Sequence, residues 1–176
     1  SASMGYDLPA AVGAAIANRN NRVICVTGDG SIMMNIQELA SIKYKALPIK
    51  IFVLNNDGYH SIRQTQKNFF PDNLVGTSDM DGLGFPDFVK IGNAFNIKSF
   101  EINNLKELDQ AFSGEFFLND VPVIYVINID KEQDFEPKLK SRVEKDGKIC
   151  TPELHDMWPF LSTDEIKKNL IVKNAI

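Results

Sequence analysis

Two apolar runs in this chain end in oxygen-rich turns, and one helix-length stretch lies between them. Val23-Ile24-Cys25-Val26-Thr27 leads into Gly28-Asp29-Gly30-Ser31, and Ile49-Lys50-Ile51-Phe52-Val53-Leu54 leads into Asn55-Asn56-Asp57-Gly58-Tyr59. Such runs, joined by a single helix, read as a βαβ crossover whose strands lie side by side and finish at the same edge. Ligands of open α/β sheets bind at that carboxyl edge. The carboxylate of Asp29 and the amide of Asn56 should therefore converge there, beside the Gly30 and Ser31 amides that open the next helix. That setting suits a divalent ion carrying a phosphorylated ligand.

The rest of the pattern repeats the alternation. Pro9 and the small residues from Ala10 to Asn18 predict a helix, Ser31 to about Ala46 a second, and residues 49–54 a strand apolar enough to be buried on both faces. His60 to Phe70 predicts a short helix, on which Arg63 either meets a substrate carboxylate or lies on a solvated face. Residues 71–85, rich in Asp, Gly, Asn and Ser, form a loop long enough for a lid or a partner contact. A helix from Pro86 to about Phe95, a strand at 97–102, a helix at 105–117 and a strand at 121–129 follow. This order without a hairpin signal predicts a three-layer α/β domain at 1–130, a doubly wound parallel sheet with helices on both faces. From residue 131 to 176 the chain turns charged, then ends in an apolar cluster around Trp158 and a helix that Ser162 or Thr163 caps. It reads as an arm or lid.

Composition narrows the partners. With 176 residues, 44% hydrophobic and 24% charged, the chain buries one sizeable core. A formal net charge of -4 offers no basic footprint for nucleic acid, and no apolar run reaches membrane-spanning length. Cys25, inside an apolar strand, reads as a buried reduced thiol, and no secretory signal is visible, so the cytoplasm is the expected compartment. The opening Ser1-Ala2-Ser3-Met4-Gly5-Tyr6-Asp7-Leu8-Pro9 reads as a cut through a longer protein.

Either turn alone is ordinary turn chemistry, with Gly58 supplying positive φ. Together, after two strands one crossover apart, they make a ligand set. Asp29, the Asn56 amide oxygen and the Gly58 carbonyl supply three oxygens, and a diphosphate supplies others to Mg²⁺.

Gly28-Asp29-Gly30, a gap of 24 residues, then Asn55-Asn56 resembles the thiamine diphosphate motif of the decarboxylase and acetohydroxyacid synthase superfamily. Met4 to Ala14, Gln37-Glu38-Leu39, Arg63-Gln64-Thr65-Gln66 and Phe85-Pro86-Asp87-Phe88 resemble acetolactate synthase-type enzymes, over roughly residues 1–130. The resemblance implies that thiamine diphosphate and Mg²⁺ bind here, along Ala2, Ser3, Met4, Gly28, Asp29, Gly30, Ser31, Asn56, Gly58, Tyr59 and His60. Asp29, Asn56 and Gly58 would hold the metal. Met4 would prop the cofactor in its bent form, with the Ala2 carbonyl near its aminopyrimidine. It also implies a 2-oxo acid substrate, decarboxylation with carboligation, and a homodimer or homotetramer whose facing subunit brings the pyrimidine-binding domain and its glutamate. This chain would be inactive alone.

Two positions depart from the pattern. Thr65 stands where acetohydroxyacid synthases carry a tryptophan, and Ile62 where pyruvate decarboxylase-like enzymes carry an acid, so neither substrate preference transfers. Simple decarboxylation, carbon–carbon hydrolysis and a non-catalytic cofactor-binding subunit stay open; a Rossmann domain is disfavoured, with no G-x-G-x-x-G or P-loop. His60 is the candidate catalytic group, as a proton shuttle, with an exposed loop imidazole as its bland reading. His155 reads as structural. The stretch Thr151 to Leu161 resembles the C-terminal ends of acetolactate synthase-like proteins associated with surface-polysaccharide biosynthesis.

Overall fold

Strands β1 (Val23–Gly28) and β2 (Ile49–Asn55) pair in parallel, with Val23 opposite Ile49 and Gly28 opposite Leu54. In this computed structural model, which describes residues 3–18, 21–143 and 147–170, both strands end at the same edge. β3 (Lys98–Ile102) and β4 (Val123–Asn128) complete an all-parallel sheet in the order β1-β2-β4-β3. β2 is internal to the sheet, and Ile49 to Val53 are all buried, Lys50 among the apolar residues of the run.

Helices cover both faces. On one face, α1 (Asp7–Ala17), α3 (Glu38–Tyr44) and α5 (Phe88–Ala94) contribute Leu8, Leu39, Ile42 and Phe88 to a core with Ile51, Val53 and Ile124. On the other, α6 (Leu105–Ser113) and α7 (Glu115–Leu118) pack Leu108, Phe116 and Phe117 on Phe52, Ile102 and Tyr125. The Phe52 and Tyr125 rings stack with centroids 5.1 Å apart. At edge strand β1 this second layer stops short: Cys25 and Thr27 are buried, but Ile24 and Val26 are 57% and 60% exposed. Close packing explains Gly92 of α5, because a Cβ there would meet the Ser99 hydroxyl of β3 at 1.9 Å.

Three boundaries differ from the sequence pattern. The helix expected over 31–46 is α2 (Asp29–Ile32), a 3-10 turn (Met33–Asn35) and α3. Side chains along that break reach outward: the Ser31 hydroxyl accepts from the Gly5 amide at 2.9 Å, and the Asn35 amide donates to the Gly5 carbonyl. The helix expected over 105–117 divides at Gly114, whose extended backbone ends α6 and starts α7. Within the long loop, Ser78 and Asp81 form a capping box around a 3-10 turn (Asp79–Asp81), so part of that loop is well tied.

The chain divides into two compact units after Glu132. In the second, β5 (Arg142–Val143) and β6 (Ile149–Cys150) form a small antiparallel ladder, and α8 (Thr163–Asn169) is capped by Ser162, which accepts from the Glu165 amide. Its charge-rich first half needs an apolar anchor to order. Trp158 supplies one: it exchanges backbone hydrogen bonds with Lys138, and the Lys138 and Lys140 ammoniums lie over its ring.

Candidate functional site at the carboxyl ends of β1 and β2

Asp29, the first residue after β1, is 2% exposed. One carboxylate oxygen accepts from the Gly30 amide at 2.7 Å, and the other from the amides of Asn56 at 3.0 Å and Gly58 at 3.1 Å. The two turns are thus bolted together through one side chain. Burial pushes the Asp29 pKa up from its ordinary value, the Gly58, Gly30 and Asn56 amides pull it back in part, and nearby Asp57 adds an upward push. The Gly30 amide donates to Asp29 because the tight turn at the β1 end brings the carboxylate back onto its own helix start.

Beside this carboxylate, the Asn56 amide oxygen is buried and has no hydrogen-bond partner among the described residues. A buried acceptor left unpaired costs roughly 1–3 kcal/mol, so its position implies a compensating ligand. The preceding residue goes elsewhere. Asn55 donates to the Asn128 side chain at 2.8 Å, so the two asparagines divide between sheet and site.

Gly58 takes positive φ, 155°, as expected, and Asp57 before it does too, at φ 54°. Glycine is needed at 58 chiefly for close approach, because a Cβ would meet the Thr77 carbonyl at 2.0 Å. That carbonyl accepts from the Tyr59 amide at 2.9 Å, and the Asp81 carboxylate holds the Thr77 amide at 2.8 Å. Gly30 serves similarly, since a Cβ there would strike the Tyr59 ring at 2.2 Å. The Gly58 carbonyl accepts from the His60 amide at 3.1 Å and keeps a second lone pair.

These groups surround an open pocket of about 150 Å³ lined by Met4, Gly28, Asp29, Gly30, Ser31, Asn56, Gly58, Tyr59, His60, Ser61 and Ile62. Most of the expected site residues meet in it. Ser3 is exposed and does not line it, and Ala2 lies outside the described residues. Met4 is 39% exposed at the rim, and Gly5 behind it is pinned through both backbone groups by Ser31 and Asn35. Larger cavities exist, such as one of about 350 Å³ between β3 and α6, but that one is far poorer in groups for a phosphorylated ligand.

His60 and Arg63 correct the sequence reading. His60 is not an exposed loop imidazole: it opens α4 (His60–Phe69), is 6% exposed, and its Nδ1 lies 3.2 Å from the Lys131 carbonyl. Arg63, one turn on, is 5% exposed instead of lying on a solvated face. Its Nη2 donates to the Lys131 carbonyl at 3.0 Å and the Asn56 carbonyl at 3.3 Å. The Lys131 ammonium pairs with Asp57 at 2.7 Å. Helical spacing could not reveal this, because the acceptors arrive from the turn after β2 and from the segment that follows β4.

Residues 1–129 match the family described as thiamine pyrophosphate enzyme, C-terminal TPP binding domain. The chain belongs to that family. It is 39% identical over 136 residues to the acetolactate synthase isozyme 2 large subunit of Escherichia coli (strain K12), covering 77% of this chain and 24% of that protein. Against the acetolactate synthase large subunit of Cyanidium caldarium, identity is 45% over 106 residues, covering 60% of this chain and 18% of the relative. This TPP-binding chain therefore spans about a quarter or less of the curated relatives it matches. Among solved structures, the benzoylformate decarboxylase from Polynucleobacter necessarius superposes with a TM-score of 0.67 at 29% identity, covering 76% of this chain and 25% of that one.

The donor set fits the cofactor of such a family. Among the described residues no three His, Cys, Asp or Glu side chains cluster as a metal site. The pocket instead offers one carboxylate, one unpaired amide oxygen and one carbonyl, an arrangement that leaves coordination places for the oxygens of a diphosphate.

Proposed function

We propose that this domain holds the diphosphate of thiamine diphosphate through Mg²⁺ bound by Asp29, Asn56 and the Gly58 carbonyl, as part of a 2-oxo acid decarboxylase and carboligase. The observation that carries this reading is the buried, unpartnered Asn56 amide oxygen beside the Asp29 carboxylate. Mg²⁺ prefers hard oxygens and takes only one or two carboxylates where a ligand brings phosphates.

Bound thiamine diphosphate supplies the electron sink for breaking and forming carbon–carbon bonds at a 2-oxo acid. Met4 offers an apolar prop at the pocket rim, held in place by the Gly5 contacts. His60 lines the same pocket with its Nδ1 turned to Lys131, and is the group we assign to holding or moving a proton. The pyrimidine-binding wall comes from another domain, across a homodimer or homotetramer. Cytoplasmic location is proposed with it: Cys25 and Cys150 are free thiols, and no helix among the described residues is long and apolar enough to cross a membrane.

Carboligation is favoured because the acetolactate synthases are 39% and 45% identical against 29% for the decarboxylase structure. Simple decarboxylation is the second reading, supported by that structure's likeness in fold. Calorimetry on the full-length natural polypeptide containing this chain tests the binding claim, and product analysis with 2-oxo acids separates the two outcomes. We expect thiamine diphosphate to bind only with Mg²⁺ present. Equal affinity after thorough removal of divalent ions would refute the metal assignment.

A further inference from the structure

We infer that Arg63 is a positioning residue for the metal turn: its guanidinium ties the Asn56 carbonyl to the Lys131 carbonyl and thereby aims the Asn56 amide oxygen into the pocket. The inference rests on the reading of Asp29, Asn56 and Gly58 as metal ligands, and adds a residue that touches neither metal nor cofactor. Three features carry it. Arg63 is 5% exposed, so it is not a solvated surface charge. Its Nη2 bridges the two carbonyls, at 3.3 Å to Asn56 and 3.0 Å to Lys131. Its Nη1 lies against the turn so closely that a Cβ on Gly58 would sit 3.1 Å from it.

The Lys131 carbonyl is fixed in turn. The Ile129 amide donates to Asn55 at 3.0 Å, extending the β4 edge, while the Lys131 ammonium pairs with Asp57 at 2.7 Å and lies 3.9 Å from Asp79. Arg63 therefore links the two strand ends across the turn. The Asn56 amide group can point its oxygen at a cation only while its own backbone is held. Its backbone amide is held by Asp29 and its carbonyl by Arg63, leaving the side chain as the group free to bind.

Charge makes the idea testable, because it predicts the opposite outcome. A guanidinium close to a divalent cation repels it, so if Arg63 acted only through charge, Arg63→Gln would tighten metal binding. If it positions Asn56, the same change weakens binding. Arg63→Lys keeps the charge but replaces the planar fork with one ammonium, so positioning predicts weakening there too.

The experiment uses the full-length natural polypeptide containing this chain, titrated with Mg²⁺ in a fixed excess of thiamine diphosphate, then with Mn²⁺ while water-proton relaxation is read. We expect Arg63→Gln to raise the Mg²⁺ dissociation constant about tenfold, the scale of one charge-assisted hydrogen bond, and Arg63→Lys to raise it by less. Relaxation should report an additional water on bound Mn²⁺ in Arg63→Gln, where Asn56 has left the ion. A residue that merely stabilised the fold would lower the melting temperature without changing that water count. Unchanged or tighter Mg²⁺ binding in folded Arg63→Lys overturns the inference, as does an unchanged water count in Arg63→Gln. If the unsubstituted protein shows no Mg²⁺-dependent binding of thiamine diphosphate, the metal reading fails first and the role of Arg63 falls with it.

Discussion

At its amino end β2 buries Lys50, and the chain closes around the ammonium: the carbonyls of Phe116, Asn119 and Val121 accept from it at 2.5, 2.6 and 2.7 Å. Just past its carboxyl end, Asp29 takes up the turn amides while the Asn56 amide oxygen stays buried without a partner among the described residues. One strand thus carries two buried polar centres, one satisfied within the chain and one left open. The difference separates polar groups that hold a fold from polar groups that wait for a ligand. A buried group whose partners are all present needs nothing further, whereas an unpaired acceptor persists only where something else offsets its cost.

The sharpest way to break that comparison is Asp29→Ala. It removes a proposed metal ligand and also strands the amides of Gly30, Asn56 and Gly58. We expect cofactor affinity to fall at least about 100-fold, and stability to fall by roughly 2–4 kcal/mol as those donors lose their acceptor. Cofactor calorimetry and urea denaturation read the two effects separately. A loss of stability alone would put Asp29 in the same class as Lys50.

Lys50→Ala should reproduce only the structural half. It leaves three carbonyls without a donor and a void beneath α7, so we expect a loss of about 3 kcal/mol in urea denaturation. Mg²⁺-dependent cofactor affinity should stay within about twofold, because the lysine lies at the other end of the strand. Asn56→Ala should do the reverse. Its oxygen has no partner among the described residues, so removing it should leave stability unchanged or raise it, by up to roughly 1–3 kcal/mol, while metal affinity falls about tenfold. If Asn56→Ala proved as destabilising as Lys50→Ala, the amide would have a structural partner and the open-site reading would be dropped.

The smallest effect is in pH. Burial, aided by Arg22 and opposed by Asp120, lowers the Lys50 pKa from 10.5 to about 8. Between those values the unfolded chain holds more protons on this lysine than the folded one, so its contribution to stability grows as pH rises from about 8 to 10.5. Asp29 has the opposite sign. Its folded pKa is raised above the ordinary 3.8, so the folded chain holds the extra proton and stability is lost as pH climbs through that window. Mg²⁺ with cofactor should cancel the Asp29 slope and leave the Lys50 slope untouched. Urea midpoints across pH, with and without ligand, check both; a Lys50→Met chain that keeps the alkaline slope would show that it arises elsewhere.

The sequence by itself determined the strands, the crossover and the pairing of Asp29 with Asn56 at one edge. Those features depend on short-range chemistry: apolar runs at strand length, glycine and asparagine at the turns, and a connection that must return in the same direction. The sequence also carried the family, through motifs spaced along residues 1–130. Tertiary structure decided what surrounds them. Arg63 looked solvated because helical spacing says nothing of carbonyls arriving from residues 56 and 131. Gly58 looked like a conformational requirement, and its tighter constraint is the Thr77 carbonyl, nineteen positions away in the chain. Lys50 read as one residue in an apolar strand until α7 and its following loop brought three carbonyls to its ammonium. Each of these depends on where a distant backbone group comes to rest. Periodicity and propensity do not encode that, because a hydrogen bond between remote residues exists only once the layers are packed.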